Sequence, residues 1–210
     1  MPPKIKSDSD RKLIRSRILD AARDLFVEKG VQAVTMREIA KRIGYSPTAI
    51  YLHFKDKESL LQELCNTDFL ALADNLSSIL EIKDPIRKMV ELGKSYAHFA
   101  LSHPNHYRLL FMTSRPVQEY CNASDLQHTP NHDAYTLLKQ VVDDVFVIGA
   151  FASQLTDPEL IAQTIWAGIH GVCSLEIVLG KDSWIEWRTI DDRITLMQSA
   201  LLNGLLKETL

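Results

Sequence analysis

The chain has 210 residues, 46% hydrophobic and 24% charged, with a formal net charge of −3 and three cysteines. That supplies enough apolar surface for a sizeable core and suits a small head with a larger body, while Cys65, Cys121 and Cys173 are too few and too widely spaced for a disulfide framework or a Cys-x-x-Cys metal site. The opening Met-Pro-Pro-Lys-Ile-Lys-Ser-Asp has no apolar signal region, and the most apolar stretch, Leu160 to Leu175, is interrupted by Gln163 and His170 and falls short of the roughly 20 residues of a spanning helix, so a soluble cytoplasmic protein with no membrane partner is expected.

Charge is unevenly distributed. Residues 1–60 carry 13 Lys or Arg against 8 Asp or Glu, net +5, and the remainder carries net −8. Attraction to phosphate depends on the local patch rather than on the whole-chain balance, so a nucleic-acid partner is expected at the N-terminal end. Lys4, Lys6, Arg11, Lys12, Arg15 and Arg17 read as an arm or first turn near a nucleic-acid backbone; for residues 1–10 a flexible polar tail is an equal reading.

Residues 35–64 carry the most informative pattern. Thr35 and Glu38 have capping-box spacing, Ile39, Ala40 and Ile43 recur at helical intervals, and Gly44 can turn at positive φ. Ser46 is a good N-cap and Pro47 suits the first helical position, so a second short helix starts there, with Ile50 and Phe54 facing inward and Thr48, Ala49 and Leu52 outward. Asp56 caps the next helix. Two short helices around a glycine turn form a helix-turn-helix, which implies DNA binding. On the outward face Thr48, Ala49 and Leu52 suit thymine methyl groups, and Ser46 or Thr48 can hydrogen-bond a base edge. No arginine or glutamine stands there, so specificity is expected to draw on Arg37 and on DNA shape.

The stretch from Ile14 to Leu64 resembles the DNA-binding domain of the tetracycline-repressor (TetR) family of bacterial transcriptional regulators. The resemblance rests on Ile18-Leu-Asp-Ala-Ala-Arg-Asp-Leu-Phe26, Gly30, Thr35-Met-Arg-Glu-Ile-Ala40, Gly44 and Tyr51-Leu-His-Phe-Lys-Asp-Lys57 with Leu60 and Leu61, in that order. It implies that the helix opened by Ser46 and Pro47 enters the major groove. Thr35, Tyr51, His53 and Lys57 match positions that meet phosphates in the family. Beside that reading, Tyr51 also suits a core position and His53 a helix cap, while Lys55 suits a solvated surface.

Beyond the head the chain reads as helix throughout, an all-α fold: an arm at 1–10, a DNA-binding domain at 11–71 and an effector-binding and dimerisation domain at 72–210. Helices are predicted at Lys57 to Leu80, from Asp84-Pro85 to the break at His103-Pro104, at Pro104 to Phe111, at Tyr135 to Phe151, at Pro158 to Leu179 after a Thr156-x-x-Glu159 box, and at Ile190 to Leu206. Residues 113–133 read as a long irregular connection. In the Pro158 to Leu179 helix, Trp166, His170, Cys173 and Ile177 share one face, and Gly168 and Gly171 invite close approach of another helix.

Trp166-Ala-Gly-Ile-His170-Gly171, taken with His103-Pro-Asn-His-Tyr107-Arg-Leu-Leu-Phe111, resembles the C-terminal domain of a TetR subgroup with a Trp, His, Gly signature. The resemblance implies a homodimer formed through the last two helices and an effector cavity among the inner ones. Tyr96, Phe99, Tyr107, Phe111, Trp166 and His170 are the candidates to line a mostly apolar pocket, with packing in the core as the plainer role of each. No cofactor is expected. His98, His103 and His106, and His128 with His132, lack the carboxylate or cysteine that would complete a metal set. Two other classes stand against a ligand-responsive repressor binding a palindromic operator. One is a helical small-molecule-binding protein without operator binding. The other is a hydrolase using His170 and Cys173, one turn apart but with no third orienting group evident.

Overall fold

A computed structural model describes residues 8–113 and 134–207. Among these the fold is helical apart from one isolated antiparallel bridge between Phe151 and Leu206. The described residues divide into two compact units, one made of 8–69 and 105–113, the other of 70–104 and 134–207. The expected connection over 113–133 lies outside the described residues except for Thr113, as do Cys121, His128 and His132.

The first unit contains α1 (Asp8–Lys29), α2 (Met36–Arg42), α3 (Pro47–Tyr51), the start of α4 (Lys57–Leu76) and α6 (Pro104–Phe111) but for its first residue. Residues 8–10, expected in a flexible arm, are the first turn of α1, with Asp8 and Asp10 suited to the positive end of the helix dipole. The capping box forms as expected: the Thr35 hydroxyl accepts from the Glu38 amide at 3.3 Å, and the Thr35 amide donates to the Glu38 carboxylate at 3.0 Å. Gly44 turns the chain at φ 74°, where a side chain would be strained. Ser46 caps α3 by accepting from the Ala49 amide at 3.3 Å, with Pro47 in the first turn. Ile18, Phe26, Ile39, Ile50, Leu60 and Leu64 are buried together with Phe54 and Leu109. Leu109 comes from α6, so the head's core includes a residue far along the chain.

Sequence reading missed the polar centre of this unit. Arg23 of α1 forks Asp68 of α4, Nε to Oδ2 at 2.9 Å and Nη2 to Oδ1 at 2.7 Å, and both residues are buried. Asp20 takes a further guanidinium bond at 2.8 Å, and His106 Nδ1 of α6 lies 3.0 Å from Asp68 Oδ1. Asn105 donates to Asp24 at 2.9 Å.

The second unit contains the end of α4, a 3-10 turn (Ser77–Glu81), α5 (Pro85–Ser102), α7 (Ala134–Val147), α8 (Pro158–Leu179) and α9 (Ile190–Leu205). The expected helix to Leu80 tightens into the 3-10 turn after Leu76. Helix α5 starts on the Asp84 cap and stops before His103. The helix expected to reach Phe151 ends at Val147, because Gly149 takes φ 65° and its amide bonds back to the Phe146 carbonyl at 2.9 Å. At the start of α8 the cap is Asp157, not Thr156: its carboxylate accepts from the Glu159 and Leu160 amides at 3.0 and 3.1 Å.

Only one of the two interior glycines of α8 has the expected packing reason. A Cβ on Gly168 would stand 2.6 Å from Leu201 Cδ1 and 2.9 Å from Met197 Sδ, both on α9, whereas a Cβ on Gly171 meets nothing within 4 Å. By length and composition α8 is a helix that could cross a membrane, since its 22 residues extend past the stretch counted in the sequence. Here it packs against α5, α7 and α9.

Candidate functional site

The exposed edge of the helix-turn-helix is set by what the head buries. Because Ile50 and Phe54 point into the core, Thr48, Tyr51 and Leu52 point out, with Leu52 66% and Tyr51 52% exposed. The exposure of Tyr51 favours a surface role over the core reading. Ser46 and Pro47 are exposed at the start of α3, Ala49 is half-buried, and Thr35 and Arg37 are exposed at the start of α2. The exposed Tyr51 at the end of the five-residue helix and Leu52 at its C-cap form an apolar surface with hydroxyls at its margin, a combination that can meet base edges and phosphates.

The cations of the head fall into two groups. Arg15 pairs with Glu63, donates to the His53 carbonyl at 2.6 Å and lies 4.2 Å from the Phe54 ring centroid. Arg23 is held by Asp68 and Asp20, Lys29 by Glu38 at 3.0 Å and Arg42 by Glu28 at 2.6 Å. Lys57, expected at a phosphate, donates to the Val31 and Val34 carbonyls at 3.1 and 3.2 Å, an anchor that ties the start of α4 to the loop before α2. Arg11, Lys12, Arg17, Arg37 and Lys41 are exposed and make no ion pair among the described residues. His53 is half-buried; burial first, then the Arg11 and Arg15 cations, hold its imidazole below the usual 6.5. It therefore reaches a neutral-pH partner as an uncharged ring.

In the second unit three of the expected ligand residues converge. The Trp166 indole donates to the Tyr96 hydroxyl at 3.1 Å, and that hydroxyl lies 3.2 Å from His170 Nδ1. Burial lowers the His170 pKa from its ordinary 6.5, so the ring is neutral near pH 7 and can accept the Tyr96 proton. Tyr135 stacks obliquely on Trp166 at 5.7 Å and donates to Glu159, which Lys139 first and then Tyr135 hold at about 2. Phe99 is buried beside the His103 ring at 5.3 Å. Tyr107 and Phe111 belong to the first unit, where their rings are 5.2 Å apart and Phe111 meets Phe69 edge-on. A small apolar cavity in the second unit is lined by Met89, Gly93, Ile165, Ile169, Met197 and Gln198 among others, none of them among the expected ligand residues. Among the described residues no cluster of His, Cys, Asp and Glu could hold a metal ion.

Residues 18–64 match the family model for bacterial regulatory proteins of the tetR family, and residues 89–185 match that for the tetracyclin repressor-like C-terminal domain. The two models between them span more than half of the chain, which belongs to the TetR family. The transcriptional regulator UidR of Escherichia coli is 36% identical over 72 residues, 34% of this chain and 34% of its own length. The repressor KstR2 of Rhodococcus jostii is 38% identical over 63 residues, 30% of this chain and 31% of its own. The chain thus matches about a third of the curated relatives' length. The fatty acid degradation regulator FadR of Bacillus halodurans has the same fold, with TM-score 0.72 at 20% identity over 95% of this chain and 97% of that one. A Rhodococcus protein of unknown function does too, with TM-score 0.70 at 22% identity over 99% and 100%.

Proposed function

We propose that the protein is a DNA-binding transcriptional regulator, a ligand-responsive cytoplasmic repressor that binds a palindromic operator as a homodimer. The observation that carries the reading is the exposed face of α3, fixed by the Ser46 cap and the buried Ile50 and Phe54, in a head whose exposed Arg11, Lys12, Arg17, Arg37 and Lys41 make no ion pair among the described residues. Thr48, Ala49 and Leu52 contact bases with Ser46 and Pro47 at the helix start. Arg37 adds specificity, and Thr35, Tyr51 and His53 position the backbone; Lys57 does so alongside its anchoring role. Two heads on a two-fold axis meet half-sites about one helical turn apart, which is why a dimer suits the reading.

The effector is a small molecule held in the second unit, with Trp166, His170 and Tyr96 as its polar anchors and Phe99 as an apolar neighbour, in keeping with the Trp, His, Gly subgroup; Tyr107 and Phe111 belong to the first unit and serve its packing. An effector that prefers one dimer conformation by about 1 to 3 kcal/mol changes operator affinity 5- to 150-fold. No catalytic role is proposed for Cys173, because burial pushes its thiol up to about 12 and leaves too little thiolate for attack. Footprinting on duplexes selected from a random library tests the reading. Protection of two symmetric half-sites supports it, and unsymmetrical or sequence-blind protection contradicts the dimeric operator complex.

A further inference from the structure

Of the exposed cations outside the helix-turn-helix that make no ion pair among the described residues, Arg11, Lys12 and Arg17, one also meets an aromatic ring. Arg17 lies on the exposed side of α1 and has no carboxylate partner among the described residues. Its guanidinium carbon stands 5.8 Å from the centre of the Tyr45 ring, within the reach of a cation–π contact. Tyr45 is itself fixed. Its side chain packs partly buried against the head's core, and its amide donates to the Ala40 carbonyl at 2.9 Å. The next residue is Ser46, the cap of α3.

An exposed arginine on a free stem would lose rotamer entropy on meeting a phosphate, and an aromatic ring that already restrains the guanidinium reduces that loss. No carboxylate takes its N–H donors among the described residues, so they are available to phosphate oxygens. By contrast, Arg15, two residues earlier, has its fork occupied by Glu63 and the His53 carbonyl.

We propose that Arg17 is a phosphate-contacting residue of the operator complex and that Tyr45 is the residue that positions it at the start of α3. The inference rests on the operator-binding reading and adds to it a backbone contact made by α1, which fixes register without reading sequence.

The test uses the full chain and a duplex selected with the wild-type protein, titrated at several salt concentrations. Arg17→Ala is expected to bind about tenfold more weakly, with the slope of log affinity against log salt reduced by about 0.9, the signature of one lost phosphate contact. The loss should be the same on operator variants. Arg17→Lys should recover the slope but not all of the affinity. Tyr45→Leu should weaken binding, Tyr45→Phe should restore it, and Tyr45→Leu should add little once Arg17 is alanine. If Tyr45→Leu proves unfolded by thermal melting, the Arg17 pair of variants decides alone. Unchanged affinity and slope in Arg17→Ala would overturn the proposal, as would a loss confined to particular sequences. Failure of the wild-type protein to bind any selected duplex would overturn the operator reading itself, and this inference with it.

Discussion

Arg23 of α1 and Asp68 of α4 form a forked ion pair in the middle of the head, with 5% and 0% of their surfaces exposed. Burial by itself lowers the arginine's pKa; the bonds to Asp68, then Asp20, more than offset this and hold it above its ordinary value. Two charges withdrawn from water in this way are tolerated only while both are present, because each offsets the desolvation of the other.

Removing one partner should therefore do more harm than removing both. Asp68→Ala leaves the guanidinium buried with only Asp20 and is expected to destabilise the protein by about 3 to 5 kcal/mol in urea denaturation. Replacing the pair together by apolar residues, Arg23→Met with Asp68→Leu, should cost much less. Equal losses from the two would mean that the pair contributes net stability of its own.

Gly44 stands at φ 74° with nothing within 4 Å of the position a Cβ would take. Any penalty for Gly44→Ala is then conformational, about 1 to 2 kcal/mol for an L-residue in the left-handed region. A lowered melting temperature with an unchanged operator consensus is expected. A neutral substitution would show that the turn between α2 and α3 adapts.

Lys57 and Thr48 should separate into different kinds of loss. Lys57→Ala removes the donor to the Val31 and Val34 carbonyls and is expected to weaken binding to all duplexes, flatten the salt slope and lower the melting temperature together. Thr48→Ala, on an exposed position of α3, should leave stability unchanged and alter preference among operators. Equal, sequence-blind losses from both would contradict this division.

His170 ties stability to pH. Its folded pKa lies below 6.5 because of burial, so above that value folded and unfolded states are both neutral and no proton is exchanged. Below it the unfolded chain binds a proton first, and stability falls as pH drops towards the folded pKa. His170→Asn should remove part of the loss seen between pH 7 and pH 5 in thermal melts, and His53, lowered for related reasons, accounts for a further part. A titration of His170 by NMR at or above 6.5 would contradict this account.

Cys173 is fully buried and its thiol is pushed up to about 12. In a Cys121→Ser background it should not react with a thiol reagent at pH 8 until the protein is unfolded. Rapid labelling of Cys173 in the folded protein, told apart from the other free thiol at Cys65 by peptide mass mapping, would reopen the hydrolase alternative.

What was legible in the sequence was local. Thr35 with Glu38, Gly44, and Ser46 with Pro47 act within three or four residues, so their spacing alone indicated the caps and turn that the structure contains. Neighbouring candidates were harder to rank. Thr156 and Asp157 are both good caps, and the carboxylate of Asp157 is the one that reaches two amides. Gly168 and Gly171 look alike in sequence, but only Gly168 faces α9. Partners distant in the chain gave no signal: Arg23 and Asp68 are 45 residues apart, and Lys57, expected at a phosphate, is 26 residues from the Val31 carbonyl to which it donates. Tyr96, Trp166 and His170 could be grouped as candidates by residue type, but their hydrogen-bonded chain across some 70 residues could not be read.

The measurement that bears most directly on the central claim is a fluorescence-anisotropy titration of the purified protein against duplexes selected from a random library, at two salt concentrations. The account predicts tight binding to a palindromic consensus, with one dimer or a pair of dimers bound. Weak, strongly salt-dependent binding without a consensus would contradict it, and would reduce the basic head to a generic phosphate binder.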